Sequence, residues 1–228
     1  METVNNITNL SIKQISQLKL IKNGDIGANG KVYILNDMEC LKVFDEPKDF
    51  YDVDKFRKFT TYEFETANMP KELVYIANVF SGYISDYIDG PMLCDCDDFD
   101  FSEVLALYVD FIKKACFEIS ERKIVISDTG CTNILFDKST NKFKMIDPDL
   151  WSIQNDITIP IIRKLNFNNL DIAFCTYVFG VIKKYPNINT DYIDFYESYK
   201  KQIEEKCKTK LKTIGDIRNM RFSMILKK

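Results

Sequence analysis

The stretch Ile124-Val125-Ile126-Ser127-Asp128-Thr129-Gly130-Cys131-Thr132-Asn133-Ile134-Leu135, followed by Met145-Ile146-Asp147-Pro148-Asp149, decides how this chain is read. Asp128 and Asn133 lie five apart in a loop between apolar runs. Ile134–Asp137 and Lys142–Ile146 then predict a hairpin around the turn Lys138–Asn141. A hairpin that begins after Asn133 and ends before Asp147 returns the chain close to its starting point. Asn133 and Asp147 are thereby brought together as hard oxygen ligands suited to Mg²⁺, with Asp128 nearby as a carboxylate base. Three ordinary turn residues would look the same locally, since Asp and Asn are common in turns.

Upstream, the texture is that of strands. Leu18–Asn23, Lys31–Leu35 and Cys40–Phe44 are short β-branched or aromatic runs, separated by the Gly-rich turn Gly24–Gly30 and by Asn36-Asp37. They predict an antiparallel meander, joined by strands over Leu73–Ile76 and Gly82–Tyr87. Glycines between two strands let backbone N–H groups approach phosphate oxygens, although a Gly-rich hairpin turn needs no ligand. In the alternating run Cys40–Phe44, Leu41 and Val43 share one face, while Cys40, Lys42 and Phe44 share the other. A lysine among apolar neighbours is costly without a partner. Phe50 to Ala67 has helical spacing, which places Phe56, Phe59, Glu63 and Ala67 on one face and offers Glu63, or failing it Glu65, as that partner.

Downstream of Gly90-Pro91 the texture becomes helical. The acidic loop with Asp95, Asp97, Asp98 and Asp100 reads as a solvated connection. Ser102 to Glu121 carries a broad apolar stripe of Val104, Leu105, Tyr108, Phe111, Ile112, Ala115 and Ile119. From Leu170 the pattern is helical to the end, interrupted near Pro186 and Gly215. The fold class is therefore α+β. The expected organisation is a small five-stranded antiparallel lobe with one helix (about 1–87) and a mostly helical lobe (about 92–228), with the boundary near Tyr87–Pro91.

Composition removes whole classes of chemistry. The chain has 228 residues and no histidine, which excludes Ser-His-Asp and Cys-His nucleophilic sites and imidazole acid–base catalysis. Lys plus Arg number 31 against 34 acidic residues, a net charge of −3, which offers no general attraction to nucleic acid or anionic membrane. Lys206, Lys208, Lys210, Lys212, Arg218, Arg221, Lys227 and Lys228 make the C-terminus locally basic, which reads as a solvated helical face. The seven scattered cysteines do not suggest a disulfide framework, and Cys94-Asp95-Cys96 alone is a poor zinc site. No run approaches the ~18 apolar residues of a membrane span. Reduced thiols and a polar Met1–Gln17 without an export pattern point to the cytoplasm.

In order from about Leu18 to Tyr185 these residues resemble the protein-kinase-like fold. Gly27 and Gly30 with Val32 look like the later part of the kinase glycine loop. Lys42 resembles its strand lysine, and Glu63 is placed like the helix glutamate. Ser85 to Gly90 looks like the passage from strand to hinge. Asp128 to Asn133 is similar to the catalytic loop, Asp147 to the magnesium aspartate, and Leu170-Asp171-Ile172 to the helix start whose Asp supports that loop. The resemblance implies a single two-lobed domain over 1–228 that binds ATP and Mg²⁺. It assigns Asp128, Lys42 and Glu63 to catalysis and Asn133, Asp147 and Asp149 to the metal. Gly27, Gly30, Val32, Cys40, Lys42, Asp86, Ile88 and Leu135 would contact the nucleotide.

The departures are specific. Asp25 stands at the first loop glycine, Ser127 replaces the usual Arg, and Gly130 the usual Lys. Asp147-Pro148-Asp149 stands where Asp-Phe-Gly is expected, and its second carboxylate resembles aminoglycoside- and choline-kinase-like phosphotransferases. No Ala-Pro-Glu appears, and Asp147 to Asp171 spans only 24 residues. The resemblance therefore implies a divergent Ser/Thr protein kinase, with a small-molecule kinase or a catalytically silent binding module as alternatives. The acceptor would be a protein or small-molecule hydroxyl, with neither nucleic acid nor membrane as partner, and the oligomeric state is open.

Overall fold

The computed structural model describes residues 7–21, 29–45, 51–179 and 192–226, with the side chains of 192–195 and 221–226 left aside. The chain divides into two compact units, Met1–Ile88 and Asp89–Lys228. The architecture is mixed α+β.

The first unit is built on a six-stranded mixed sheet, where the sequence predicted five antiparallel strands. Its strands are β1 (Ile7–Leu10), β2 (Lys19–Leu20), β3 (Gly30–Ile34), β4 (Glu39–Phe44), β5 (Glu72–Ile76) and β6 (Val79–Asp86), in the order β1-β5-β6-β4-β3-β2. The extra strand is β1, which runs parallel to β5 with Ile7 opposite Leu73 and Leu10 opposite Ile76. Its Asn-containing, half-exposed sequence hides it, because an edge strand needs only one buried face. Thr8 Oγ1 donates to Glu72 at 2.5 Å and fixes the pairing. The one-turn helix α1 (Ile12–Ile15) follows, closed by a reciprocal capping box between Ser11 and Gln14. Ile15 then joins Leu41, Val74 and Ile84 in a core on one face of the sheet, with Val43 packed against it.

The other face is aromatic. Phe44 stacks on Tyr51 with ring centroids 3.8 Å apart, and Phe56 of helix α2 (Val53–Phe59) lies 5.6 Å from Tyr83. The alternation read in β4 thus holds, with Leu41 and Phe44 on opposite faces. Helix α2 is shorter than the predicted Phe50–Ala67. Thr60 and Thr61 turn their hydroxyls back to the carbonyls of Arg57 (2.8 Å) and Lys58 (2.7 Å), so the last turn closes there. Ala67 and Met69 are buried beyond the helix, so buried positions at helical spacing arise here from two different conformations. At Gly30 (φ 154°) a Cβ would lie 2.3 Å from the Val43 carbonyl, so the β3–β4 pairing alone requires glycine there.

The second unit is organised around α3 (Phe101–Ser120), whose N-cap Asp100 accepts from Ser102 N at 2.9 Å. Beside it run the short pair β7 (Ile124–Val125) and β10 (Ser152–Ile153), and the hairpin of β8 (Ile134–Asp137) and β9 (Lys142–Met145). Helix α4 (Ile159–Phe174) continues through a wider π turn over Cys175–Phe179, and α5 (Tyr192–Cys207) and α6 (Ile214–Leu226) follow. Helix α4 begins eleven residues before the predicted Leu170, with Pro160 in its first turn, where a missing N–H costs nothing. Tyr108 of α3 stacks on Phe174 at 4.5 Å, meets Phe143 of β9 edge-on at 5.5 Å and donates to the Leu170 carbonyl at 3.0 Å.

Of the two segments read as solvated, the basic one is solvated at Lys206, Lys208, Lys210 and Lys212, which are exposed, whereas the acidic loop is tied down at Asp97. Arg218 of α6 donates to Asp97 at 2.7 Å, and Gly215 N donates to the Asp97 carbonyl at 2.9 Å, so α6 closes over the acidic loop. Lys210 pairs with Glu204, which also accepts from Leu211 N at 2.8 Å. The helical pattern is interrupted near Gly215 as expected, between Cys207 and Ile214, with Gly215 itself in the first turn of α6, while Pro186 lies outside the described residues. Among the described residues no helix is long and apolar enough to cross a membrane.

The β8–β9 turn carries a testable electrostatic element. Burial pushes the Asp137 carboxyl up, but bonds from the Ser139 and Thr140 hydroxyls and Ser139 N, with Lys144 at 3.4 Å, outweigh it and lower its pKa to about 2. A folded pKa below the unfolded value of about 3.9 stabilises the fold above that value and is lost as pH falls through about 2. Asp137→Ala is expected to cost about 1–3 kcal/mol at pH 7. Urea midpoints for wild type and variant should converge between about pH 4 and pH 2. A gap that stays constant over that range would show that the carboxylate charge contributes nothing.

Candidate functional site

The hairpin brings its two ends together through one residue. Asn133 ends a 3₁₀ turn over Cys131–Asn133, in which its N donates to the Gly130 carbonyl at 3.0 Å. Its own carbonyl accepts from Ile146 N at 2.9 Å, so Asp147 emerges directly beside it. Its side-chain Nδ2 donates to the Asp128 carbonyl at 2.8 Å and to Asp128 Oδ2 at 3.1 Å. With the amide nitrogen so committed, Oδ1 is the atom available to a cation.

Asp128 and Asp147 share an unusual backbone. Both are left-handed, at φ 55° and 63°, a conformation that costs a residue with a Cβ about 1–3 kcal/mol. Asp128 is exposed and Asp147 half-buried, whereas Asp149, in the 3₁₀ turn Pro148–Leu150, is only 2% exposed. Among the described residues no three Cys, Asp or Glu side chains form a preformed metal cage. Asn133 Oδ1 and the Asp147 carboxylate are oxygen donors of the type Mg²⁺ takes, since that ion binds through one or two carboxylates and completes its shell with water and phosphate.

The loop is held from α4 by residues the sequence reading did not single out. Asn166, wholly buried, accepts from Ile126 N at 2.8 Å and donates to the Ile124 carbonyl at 2.9 Å and Ser120 Oγ at 3.1 Å. Asn169, one turn on, donates to the Ile126 carbonyl at 2.7 Å, while Thr129 Oγ1 donates to the Asn169 carbonyl at 2.8 Å. Asp171 was expected to support this loop. It is buried within α4 and accepts from the Tyr196 hydroxyl of α5, while the two asparagines bind Ile126. Asn166, Asn168 and Asn169 in an apolar helix are the signal, because Asn in a helix interior needs a reason outside the helix.

The nucleotide-type residues of the first unit are distributed along its sheet. Lys42 lies in β4 between Val32 of β3 and Tyr83 of β6, and is 6% exposed. The Cys40 thiol donates to the Asp86 carbonyl and touches Ser85 Oγ, both at 3.4 Å, and burial pushes its pKa up. Asp86 forms an ion pair with Lys71, and its hydrogen bond raises the Lys71 pKa. Glu63 does not lie on α2, which ends at Phe59. It is exposed, and its charge acts on Lys71. Glu65 is also exposed. Ile88 is half-buried just past β6, and Gly27 lies outside the described residues. In the second unit, Leu135 of β8 bridges to Met92, and at Gly90 a Cβ would lie 1.7 Å from the Phe136 carbonyl.

Removing the buried amide should release the loop. Asn166→Ala is expected to lower stability by about 2–4 kcal/mol, because it strands the Ile126 N–H and Ile124 carbonyl. Hydrogen exchange at Ile126 should accelerate more than exchange in the β8–β9 hairpin. Equal acceleration in both would mean that Asn166 supports the fold without holding the loop.

No protein-family model and no curated protein matches this chain.

Proposed function

We propose that the chain is an ATP- and Mg²⁺-dependent phosphotransferase of the protein-kinase-like type, a divergent Ser/Thr kinase that moves the γ-phosphoryl group of ATP to a hydroxyl. The observation that carries this reading is the bond of Asn133 to Asp128, in a loop whose last residue also receives Ile146 N and so sets Asp147 alongside. A base, an amide oxygen and a second carboxylate at one end of a hairpin are the parts that phosphoryl transfer requires.

In this reading Asp128 orients the acceptor hydroxyl through its free Oδ1 and takes its proton as the new O–P bond forms and the bond to ADP breaks. The Asn133 amide holds Oδ2 and keeps that carboxylate aimed. Asn133 Oδ1 and Asp147 would hold Mg²⁺, which would supply positive charge to offset that of the phosphates. Lys42 is assigned to the α/β-phosphates, with Glu65 as its orienting partner, and Asp149 to the metal. Catalysis is then mainly positioning and charge stabilisation.

One feature favours a small-molecule acceptor as the second reading. After Asp149 the chain pairs at once as β10 with β7, and α4 begins at Ile159, which leaves little chain for a peptide-docking platform. Transfer from ATP to generic proteins and to a panel of small alcohols separates the two. If neither accepts phosphate, the silent binding module takes the place of both.

The site residues make separable predictions. At Mg²⁺-ATP about a hundredfold above its dissociation constant, linkage adds ~2.7 kcal/mol. For a chain of this length that raises the melting temperature by roughly 5–10 °C. Asp147→Asn should remove most of the Mg²⁺-dependent part. Asp128→Asn should keep the shift and lower turnover by about 10²–10⁴-fold. A wild type with neither a Mg²⁺-dependent shift nor transfer to any acceptor would refute the catalytic reading.

A further inference from the structure

Two thiols from distant parts of the sequence meet at the loop that carries Asp128 and Asn133. Phe136 N donates to the Pro91 carbonyl at 2.9 Å, and Met92 bridges antiparallel to Leu135. Segment 91–94 therefore runs alongside β8. Each chain then enters a 3₁₀ turn, Leu93–Asp95 on one side and Cys131–Asn133 on the other, and the two turns pack together. Cys94 sits in the first and Cys131 in the second. Both are free and half-buried.

Their environments differ. Burial and the charge of Cys131 push the Cys94 thiol up to about 12, Asp95 adds to this, and the hydrogen bond with Cys131 keeps it protonated. The Cys94 turn is also anchored from elsewhere in the fold. Arg218 Nη1 donates to the Cys94 carbonyl at 3.4 Å and to the Tyr177 hydroxyl at 2.5 Å. The Tyr177 hydroxyl lies 3.0 Å from the same carbonyl and 2.7 Å from Asp97 Oδ1. Cys131, in contrast, lies two residues before Asn133 in the loop itself. The neighbouring Cys96 takes no part, since it is buried and its thiol donates to the Met92 carbonyl at 3.3 Å.

We propose that Cys94 and Cys131 form a redox-sensitive dithiol site, which a peroxide closes to a disulfide that fastens the Asp128–Asn133 loop to the anchored 93–95 turn. The reaction balances in two steps. Cys131 sulfur attacks one peroxide oxygen, the O–O bond breaks, and the departing oxygen leaves as water with the thiol proton, giving a sulfenic acid. Cys94 sulfur then displaces the sulfenic oxygen, which leaves as a second water with the Cys94 proton. The two sulfurs together lose two electrons and the peroxide gains them. A thiol–disulfide exchange with dithiothreitol reverses the closure.

The S–S bond requires about 2.05 Å between the sulfurs, closer than two thiols in contact. Closing it draws Cys131 toward Cys94 and shifts Asn133 relative to Asp128. Displacement of a catalytic group by about 1 Å costs on the order of 10²-fold in rate. The effect on transfer rests on the phosphotransferase reading, whereas the cross-link does not.

The test treats the full chain with hydrogen peroxide, maps disulfide-linked peptides by mass spectrometry, and follows hydrogen exchange through 128–133. A linked pair of peptides containing Cys94 and Cys131 is expected, with slower exchange in the loop. Both should reverse with dithiothreitol and be absent in Cys94→Ser and Cys131→Ser. In protein active when reduced, transfer should fall at least about tenfold on oxidation and recover on reduction. Cys131 recovered as sulfinic acid with Cys94 still a thiol, or a cross-link that survives Cys94→Ser, would overturn the site. A mapped Cys94–Cys131 link with unchanged transfer would overturn its control of the loop. Absence of transfer in the reduced protein would count against the phosphotransferase reading alone, because the peptide map and the exchange rates still decide the dithiol.

Discussion

The hydrogen bonds of Asn133 fix the geometry on which the rest of the site depends. Its amide reaches back to both the carbonyl and the carboxylate of Asp128, while its backbone carbonyl takes Ile146 N and places Asp147 alongside. Both aspartates hold left-handed backbones, which cost about 1–3 kcal/mol each. Compensation comes from outside the loop. Asn166 and Asn169 together clamp both polar groups of Ile126, and Thr129 binds back to α4. At about 1 kcal/mol net per buried bond, such a network is of the size needed to hold two unfavourable backbones in place.

Much of this was legible in the sequence because it depends on local rules. Strand alternation in Cys40–Phe44, the apolar stripe of α3 and the hairpin closing on Asp147 all follow from periodicity and turn chemistry, and all appear in the fold. The failures have physical causes. Strand β1 escapes notice because its stability comes from pairing with Glu72–Ile76, more than sixty residues away, and not from its own composition. The helix predicted through Ala67 fails because two threonine hydroxyls end it at Thr60, while tertiary packing buries Ala67 all the same. That error also removed Glu63 from the helix face on which its expected role depended.

The site itself was legible as a set of residues but not as a supported structure. Asp128, Asn133 and Asp147 were recognisable from their spacing. Asn166 and Asn169 stand out only as asparagines inside an apolar helix, and the partners they hold, some forty residues earlier, are not legible. The same holds for the meeting of Cys94 with Cys131, and for the pairing of Arg218 with Asp97. Each depends on which helix packs on which loop, a property no local pattern encodes.

The choice of an amide at 133 follows from the charge around it. Asp128, Asp147 and Asp149 place three carboxylates within a short length of hairpin, in a chain without histidine to share protons with them. A fourth carboxylate at 133 would face Asp128 at hydrogen-bond distance with no proton to donate. Two like charges about 4 Å apart repel by on the order of 1–4 kcal/mol in surroundings between water and a protein surface. Such repulsion works against holding both carboxylates ionised side by side. An asparagine avoids this because its two ends differ. Nδ2 donates to Asp128, and Oδ1 remains a neutral oxygen beside Asp147. Of the two aspartates that flank it, Asp128 is the exposed one and Asp147 the half-buried one. In the proposed phosphotransferase reading, that division suits Asp128 to the acceptor hydroxyl and Asp147 to the cation.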